Sequence, residues 1–246
     1  MTLATESALE RILGSGDEWQ SWRALRLSGE APGDMPAPSD QNDDGGFDGP
    51  NDRPSPGATG EALCHLTVLG LAESGPAAIA GDWLLDARTP AQAWLDSPAD
   101  VPGEIDDSGG GRVWATAAAT CGLLVTGRDP GPRALDLLRG ESDQEGRFTG
   151  GAYPTFAAAG AFWAAQGPKT EMAEWALRWA REWAEEWWAE EEWIAALTFW
   201  GAAGIPLEHA SVEQFLDQLR LGAPAEGFPD MEFTLRALEL GAFYEG

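Results

Sequence analysis

Three carboxylates crowd into four residues at Glu104-Ile105-Asp106-Asp107, shortly before the apolar run Val113–Val125. Carboxylates this close raise one another's proton affinity, so such a group can hold a proton for general-acid work. The alternative is a solvated acidic loop, which a chain with 41 Asp and Glu supplies readily. A second set is aromatic: Trp19, Trp22, Trp114, Phe156, Phe162, Trp163, Trp193, Phe199, Trp200 and Phe233 fall on apolar helical runs. Aromatic faces attract cations, so a cavity lined by them suits carbocation intermediates or an isoprenoid tail; packed together, they simply fill the interior. Hydrolysis by paired carboxylates would draw on Glu61, Glu104, Asp106 and Glu192. Cys64-His65 are adjacent, so on a helix they project about 100° apart and do not chelate one ion. With no phosphate loop, dinucleotide fingerprint or Gly-x-Ser-x-Gly, neither a metal nor a cofactor is expected.

The elements that must position these residues are helical throughout. Apolar periodicity predicts helices over Thr5–Leu13, Asp17–Leu27, Thr59–Ala72, Ala77–Leu95 with an interruption at Pro90, Val113–Val125 and Pro132–Leu138. Further helices are predicted over Tyr153–Gln166, Thr170–Ala189, Glu192–Ala203, Ser211–Leu221 and Asp230–Leu240. Helix stops are read at Gly29, Gly75, Gly127, Gly167, Gly204 and Gly241. Their spacing of roughly 35–50 residues is that of a repeat architecture. The stretch Glu141–Gly167 shows one unit: an acidic turn ending in Arg147-Phe148, a small-residue linker, then an apolar helix closed by glycine. Residues 30–57, rich in Asp, Gly and Pro, form an irregular acidic loop over one end of the molecule, and they contain the same turn at Gln41–Phe47. Helices apolar on all sides belong to an inner layer, and the amphipathic Thr170–Ala189 and Ser211–Leu221 to an outer one. Trp175, Trp179 and Trp183 make a stripe facing a neighbouring helix, and Cys64 and Cys121 read as small buried hydrophobes. The expected fold is all-α, one domain over 1–246, an (α/α) toroid of about six helical hairpins.

The turns Gln41…Asp44-Gly45-Gly46-Phe47, Gln144…Gly146-Arg147-Phe148 and Gly227-Phe228, with Thr59…Ala62-Leu63…Leu66…Leu69-Gly70, resemble a known repeat. It is the prenyltransferase and squalene-oxidase-type repeat of the terpenoid cyclase/protein prenyltransferase toroid family. The likeness covers about residues 30–246 and fades around Trp187–Glu192. It implies a class II-type, acid-initiated and metal-independent terpene cyclase in which Asp106 is the proton donor and Glu104 and Asp107 support it. Trp19, Trp22, Trp114, Phe156, Trp163, Trp193, Trp200 and Phe233 would then line the isoprenoid site. Two departures stand: Glu replaces Asp at the first position, and Ser108–Arg112 intervenes before the helix. At 246 residues the chain is also smaller than the two-domain cyclases it resembles. A toroid that only binds a ligand or protein partner, and a carbohydrate-active (α/α) enzyme, are the rival readings.

Charge narrows the partners. Lys+Arg 15 against Asp+Glu 41 gives a net charge of −26, which repels nucleic acid and anionic membrane surfaces. Lys169 is the sole lysine. An acidic surface this poor in lysine suits solubility in high salt, and a GC-rich genome gives the same arginine bias. No basic leader with an apolar core and no apolar run of membrane-spanning length occurs, so a cytoplasmic protein is expected.

Overall fold

The computed structural model describes residues 3–103, 109–184, 188–222 and 227–245. Among them are eleven α-helices, and no strand beyond isolated bridges. In chain order these are α1 (Leu3–Ser15), α2 (Glu18–Ser28), α3 (Pro56–Val68), α4 (Gly75–Ala87), α5 (Gly110–Val125) and α6 (Ala134–Arg139). They continue with α7 (Ala152–Gln166), α8 (Glu171–Glu182), α9 (Glu190–Ala202), α10 (Ala210–Gly222) and α11 (Met231–Glu245).

Local chemistry sets most boundaries. Asp17 accepts from the Gln20 amide at 2.7 Å while Gln20 accepts from the Asp17 amide, a reciprocal cap for α2. Ser55 and Ser74 cap α3 and α4, each with proline in the first turn. That second cap corrects one expected stop: Gly75 opens α4, and α3 is ended by Gly70, at φ 71°. Gly241 is no stop either, because α11 runs on to Tyr244, whose hydroxyl donates to Leu197 O at 3.2 Å and holds the last turn against α9. The run Ala77–Leu95 is helical only to Ala87; Thr89–Ala93 folds into a turn in which Thr89 N and Oγ1 both donate to Ala93 O.

The helices of the inner layer pack in sequence, α3 on α5, α5 on α7 and α7 on α9, and α9 returns to α3. Glycines set their approach. A Cβ on Gly60 of α3 would lie 2.3 Å from the Ala118 carbonyl of α5, and one on Gly160 of α7 would lie 2.9 Å from Cys121 Sγ and 3.0 Å from Phe199 O. These backbones touch with little side chain between them. Cys64 and Cys121 are buried free thiols in that contact, with Sγ atoms 3.6 Å apart. The C-terminal helix α11 lies on α9, α3 and α2, and α1 packs on both α2 and α11, so the two ends of the chain meet.

The repeated turn has a definite anatomy. Gln41 bridges Phe47 and Ser142 bridges Phe148, each phenyl is buried, and each Phe amide donates at 2.9 Å to a buried threonine of the following helix, Thr59 or Thr155. The positive-φ glycine of each turn, Gly45 or Gly146, abuts the backbone of the next outer helix at Ile79 or Trp175. A third copy lacks the Gly-Phe signal: the Trp94 amide donates to Thr116 Oγ1 of α5 at 3.2 Å. Along α8 and its C-cap residue the expected tryptophan stripe divides. Trp179 is buried, whereas Trp175 and Trp183 keep 37% and 38% of their surface. No described helix is long and apolar enough to cross a membrane.

Candidate functional site

The first turns of α3, α5, α7 and α9 come together at one end of the molecule. Gly57 of α3 lies against the Trp114 indole nitrogen of α5 and the Asp96 carboxylate. The Trp114 ring stands edge-on to Tyr153 of α7, with centroids 6.1 Å apart, and Tyr153 donates its hydroxyl to Glu192 Oε1 of α9 at 3.3 Å. Asp96 is positioned by the segment that follows Trp94, and its Oδ2 accepts from Ser55 Oγ at 2.8 Å and Gly57 N at 2.9 Å. Burial pushes its carboxyl up to about 6, against the pull of those two donors. Tyr153 is driven well above the ordinary phenol range by burial and by the carboxylates of Glu192 and Glu61. The indole N–H of Trp114 here is buried and has no acceptor among the described residues, and the same holds for that of Trp193 beside Gly222. An unsatisfied buried donor costs about 1–3 kcal/mol, so an acceptor arriving at this end would be rewarded.

Glu104, Asp106 and Asp107 lie outside the described residues, between Gly103 and Gly109 at the approach to α5. Of the eight aromatic residues expected to line a substrate site, Trp114, Phe156 and Trp200 share one network of ring contacts. Trp114 meets Phe199 edge-on at 5.9 Å, Phe156 meets Trp200 at 5.9 Å, and Trp200 packs on Phe215 at 4.8 Å. Trp114, Phe156, Phe199 and Trp200 are all 0% exposed. Three more sit on other parts of the same core, outside that network. Trp163 stands against His209, Trp193 lies beside Gly222, and Phe233 is half-buried against the main core. Trp19 and Trp22 belong to a second core cluster; they stack on each other at 5.5 Å, and the Trp22 N–H donates to Gly33 O of the acidic loop.

Of the carboxylates considered for hydrolysis, Glu61 and Glu192 lie among the described residues, and both are occupied. Glu61 accepts from Arg236 at 2.7 Å, and Glu192 takes the Tyr153 hydroxyl on one oxygen and the Ala189 amide on the other. Asp96 escaped sequence reading because nothing in Leu95-Asp96-Ser97-Pro98 differs from an exposed turn; its burial comes from the start of α3. Tyr153 carried a weak signal, a polar aromatic beside a helix-starting proline. In comparison with known proteins, the chain matches no family model and no curated sequence.

Proposed function

We propose that this chain is an α/α toroid of the terpenoid cyclase/protein prenyltransferase type that binds a ligand or partner rather than cyclising an isoprenoid. The carrying observation is the state of the aromatic interior. Trp114, Phe156, Phe199 and Trp200 spend their faces and edges on one another and on Tyr153, Trp188 and Phe215, and the helices around them meet at glycines. A cyclase needs those faces turned toward a folded polyene. The repeated Phe-to-Thr turn and the return of α9 to α3 support the toroid.

A second reading, acid-initiated cyclisation by Asp106, is favoured by one feature: the end of the molecule at which α5 begins holds a carboxyl already pushed up to about 6, beside an unpartnered indole N–H. The two readings separate on incubation with linear polyprenols, polyprenyl diphosphates and terminal polyprene epoxides, followed by gas chromatography–mass spectrometry. The binding reading expects no cyclic product. Cyclic product from the wild type that disappears with Asp106→Asn would replace it by the cyclase.

A further inference from the structure

A cavity of about 170 Å³ opens between α2, α3, α11 and the segment leading into Gln41. Trp19, Ser39, Asp40, Phe47, His65 and Arg236 are among its walls. Its walls at Glu232, Arg236 and His65 belong to a set of interlocked ion pairs that continues beneath them. Arg23, 1% exposed, holds Glu239 through Nε and Nη2, both at 2.7 Å, and gives Nη1 to the two oxygens of Glu232 at 2.8 and 2.9 Å. Arg236 gives Nε to Glu232 at 3.2 Å and Nη1 to Glu61 at 2.7 Å. Gln20 adds a fourth contact to Glu232 at 3.3 Å, which fills that carboxylate's acceptor capacity. His65 Nε2 lies 2.8 Å from Glu239 Oε2, and burial together with Arg23 and Arg236 drives the imidazole toward its neutral form.

Charge at the cavity is therefore unbalanced. Three carboxylates face two guanidiniums, and Asp40 at the rim adds a fourth carboxylate that makes no ion pair among the described residues. The backbone at Asp40 is held in place. Its carbonyl accepts from the Asp48 amide at 3.1 Å, and the side chain of the next residue, Gln41, donates to Gly45 O and Pro76 O. An anion entering here would meet Asp40 and find both guanidiniums already committed to glutamates. A cation meets the Asp40 carboxyl, which burial pushes toward its neutral form against the pull of Arg236 and which an arriving positive charge would favour in its ionised form. The space is that of roughly six water-sized groups, so the ligand is small.

We propose that this cavity binds a small organic cation with N–H donors, an amine or amidinium. Its charge is taken by Asp40, and its carbon skeleton rests on Trp19, Phe47 and Leu66. The site does not depend on the reading of the aromatic interior, and a cyclase result there would leave it standing.

Isothermal titration calorimetry of the full chain with agmatine and putrescine, with glucose and acetate as neutral and anionic controls, tests it. One agmatine or putrescine per chain is expected. Asp40→Asn weakens binding by about tenfold or more, and Ala62→Leu, which fills the cavity, abolishes it with the helical circular dichroism retained. Glu213→Gln removes the same unit of charge from an exposed position on α10 and leaves affinity within about twofold. Absence of stoichiometric cation binding, equal weakening by Asp40→Asn and Glu213→Gln, or tighter binding of acetate or glucose overturns the proposal. Should Ala62→Leu fail to fold, the Asp40 and Glu213 pair decides.

Discussion

Asp96 has a cost that pH reveals. Its carboxyl rises from an ordinary 3.8 to about 6 on folding, so the folded chain binds more protons than the unfolded one between those values. Stability contributed by the protonated form is present below pH 3.8 and is lost as pH climbs through 6; the penalty then persists at neutrality. Asp96→Asn keeps an acceptor for Ser55 Oγ and Gly57 N without the charge. The substitution is expected to stabilise the protein at pH 7 by about 1–2 kcal/mol, allowing for solvent screening, and to flatten the loss between pH 4 and 6. Urea denaturation at a series of pH values measures both. An unchanged profile would show that the carboxylate sits in water-like surroundings.

At the level of elements, α3 and α5 are held at glycine distance, and that approach has no slack. Gly60→Ala places a methyl 2.3 Å from the Ala118 backbone and forces the two helices apart. The expected loss is about 2–3 kcal/mol, whereas Gly14→Ala, in open space on α1, is expected to be neutral or mildly stabilising. Thermal melts of the two variants should diverge, and equal melting temperatures would mean that α3 and α5 do not meet through their backbones. The repeated turn belongs to this scale too. Two of its copies were visible as Gly-x-Phe or Gly-Phe signals, but the copy at Trp94 was not. Its threonine, Thr116, lies 22 positions downstream rather than 12 or 7, with a whole acidic loop between. Sequence spacing cannot register a hydrogen bond across an insertion.

For the molecule as a whole, the ion cluster on α2, α3 and α11 joins the beginning of the chain to its end. Arg11 reinforces it by donating to Phe228 O at 2.7 Å. Glu239 keeps only 2% of its side-chain surface, so removing its guanidinium partner strands a buried charge. Arg23→Met is expected to lose about 3–5 kcal/mol, and Arg23→Met with Glu239→Leu to recover most of it, because the paired charges cost nearly as much to bury as they return. Chemical denaturation of both variants is the measurement. Equal destabilisation by the single and double replacements would mean that the two side chains do not act as a pair.

Composition, apolar periodicity and capping residues were enough to determine the helical class, nearly every helix and four of the six glycine stops, because these depend on neighbours within a turn or two of chain. The two misread stops, Gly75 and Gly241, are settled by contacts outside that range: a serine cap beginning the next helix, and a tyrosine hydroxyl tied to α9. Tertiary structure alone decided which aromatics meet. Phenyl and indole side chains carry the same sequence signature whether they line a cavity or fill it, and the difference rests on how closely glycines let the surrounding backbones approach. It also decided that Arg23, His65, Glu61, Glu232, Arg236 and Glu239 form one cluster. Charges separated by up to 216 residues have no local pattern to betray them, and only the meeting of the chain's two ends brings them within hydrogen-bond reach.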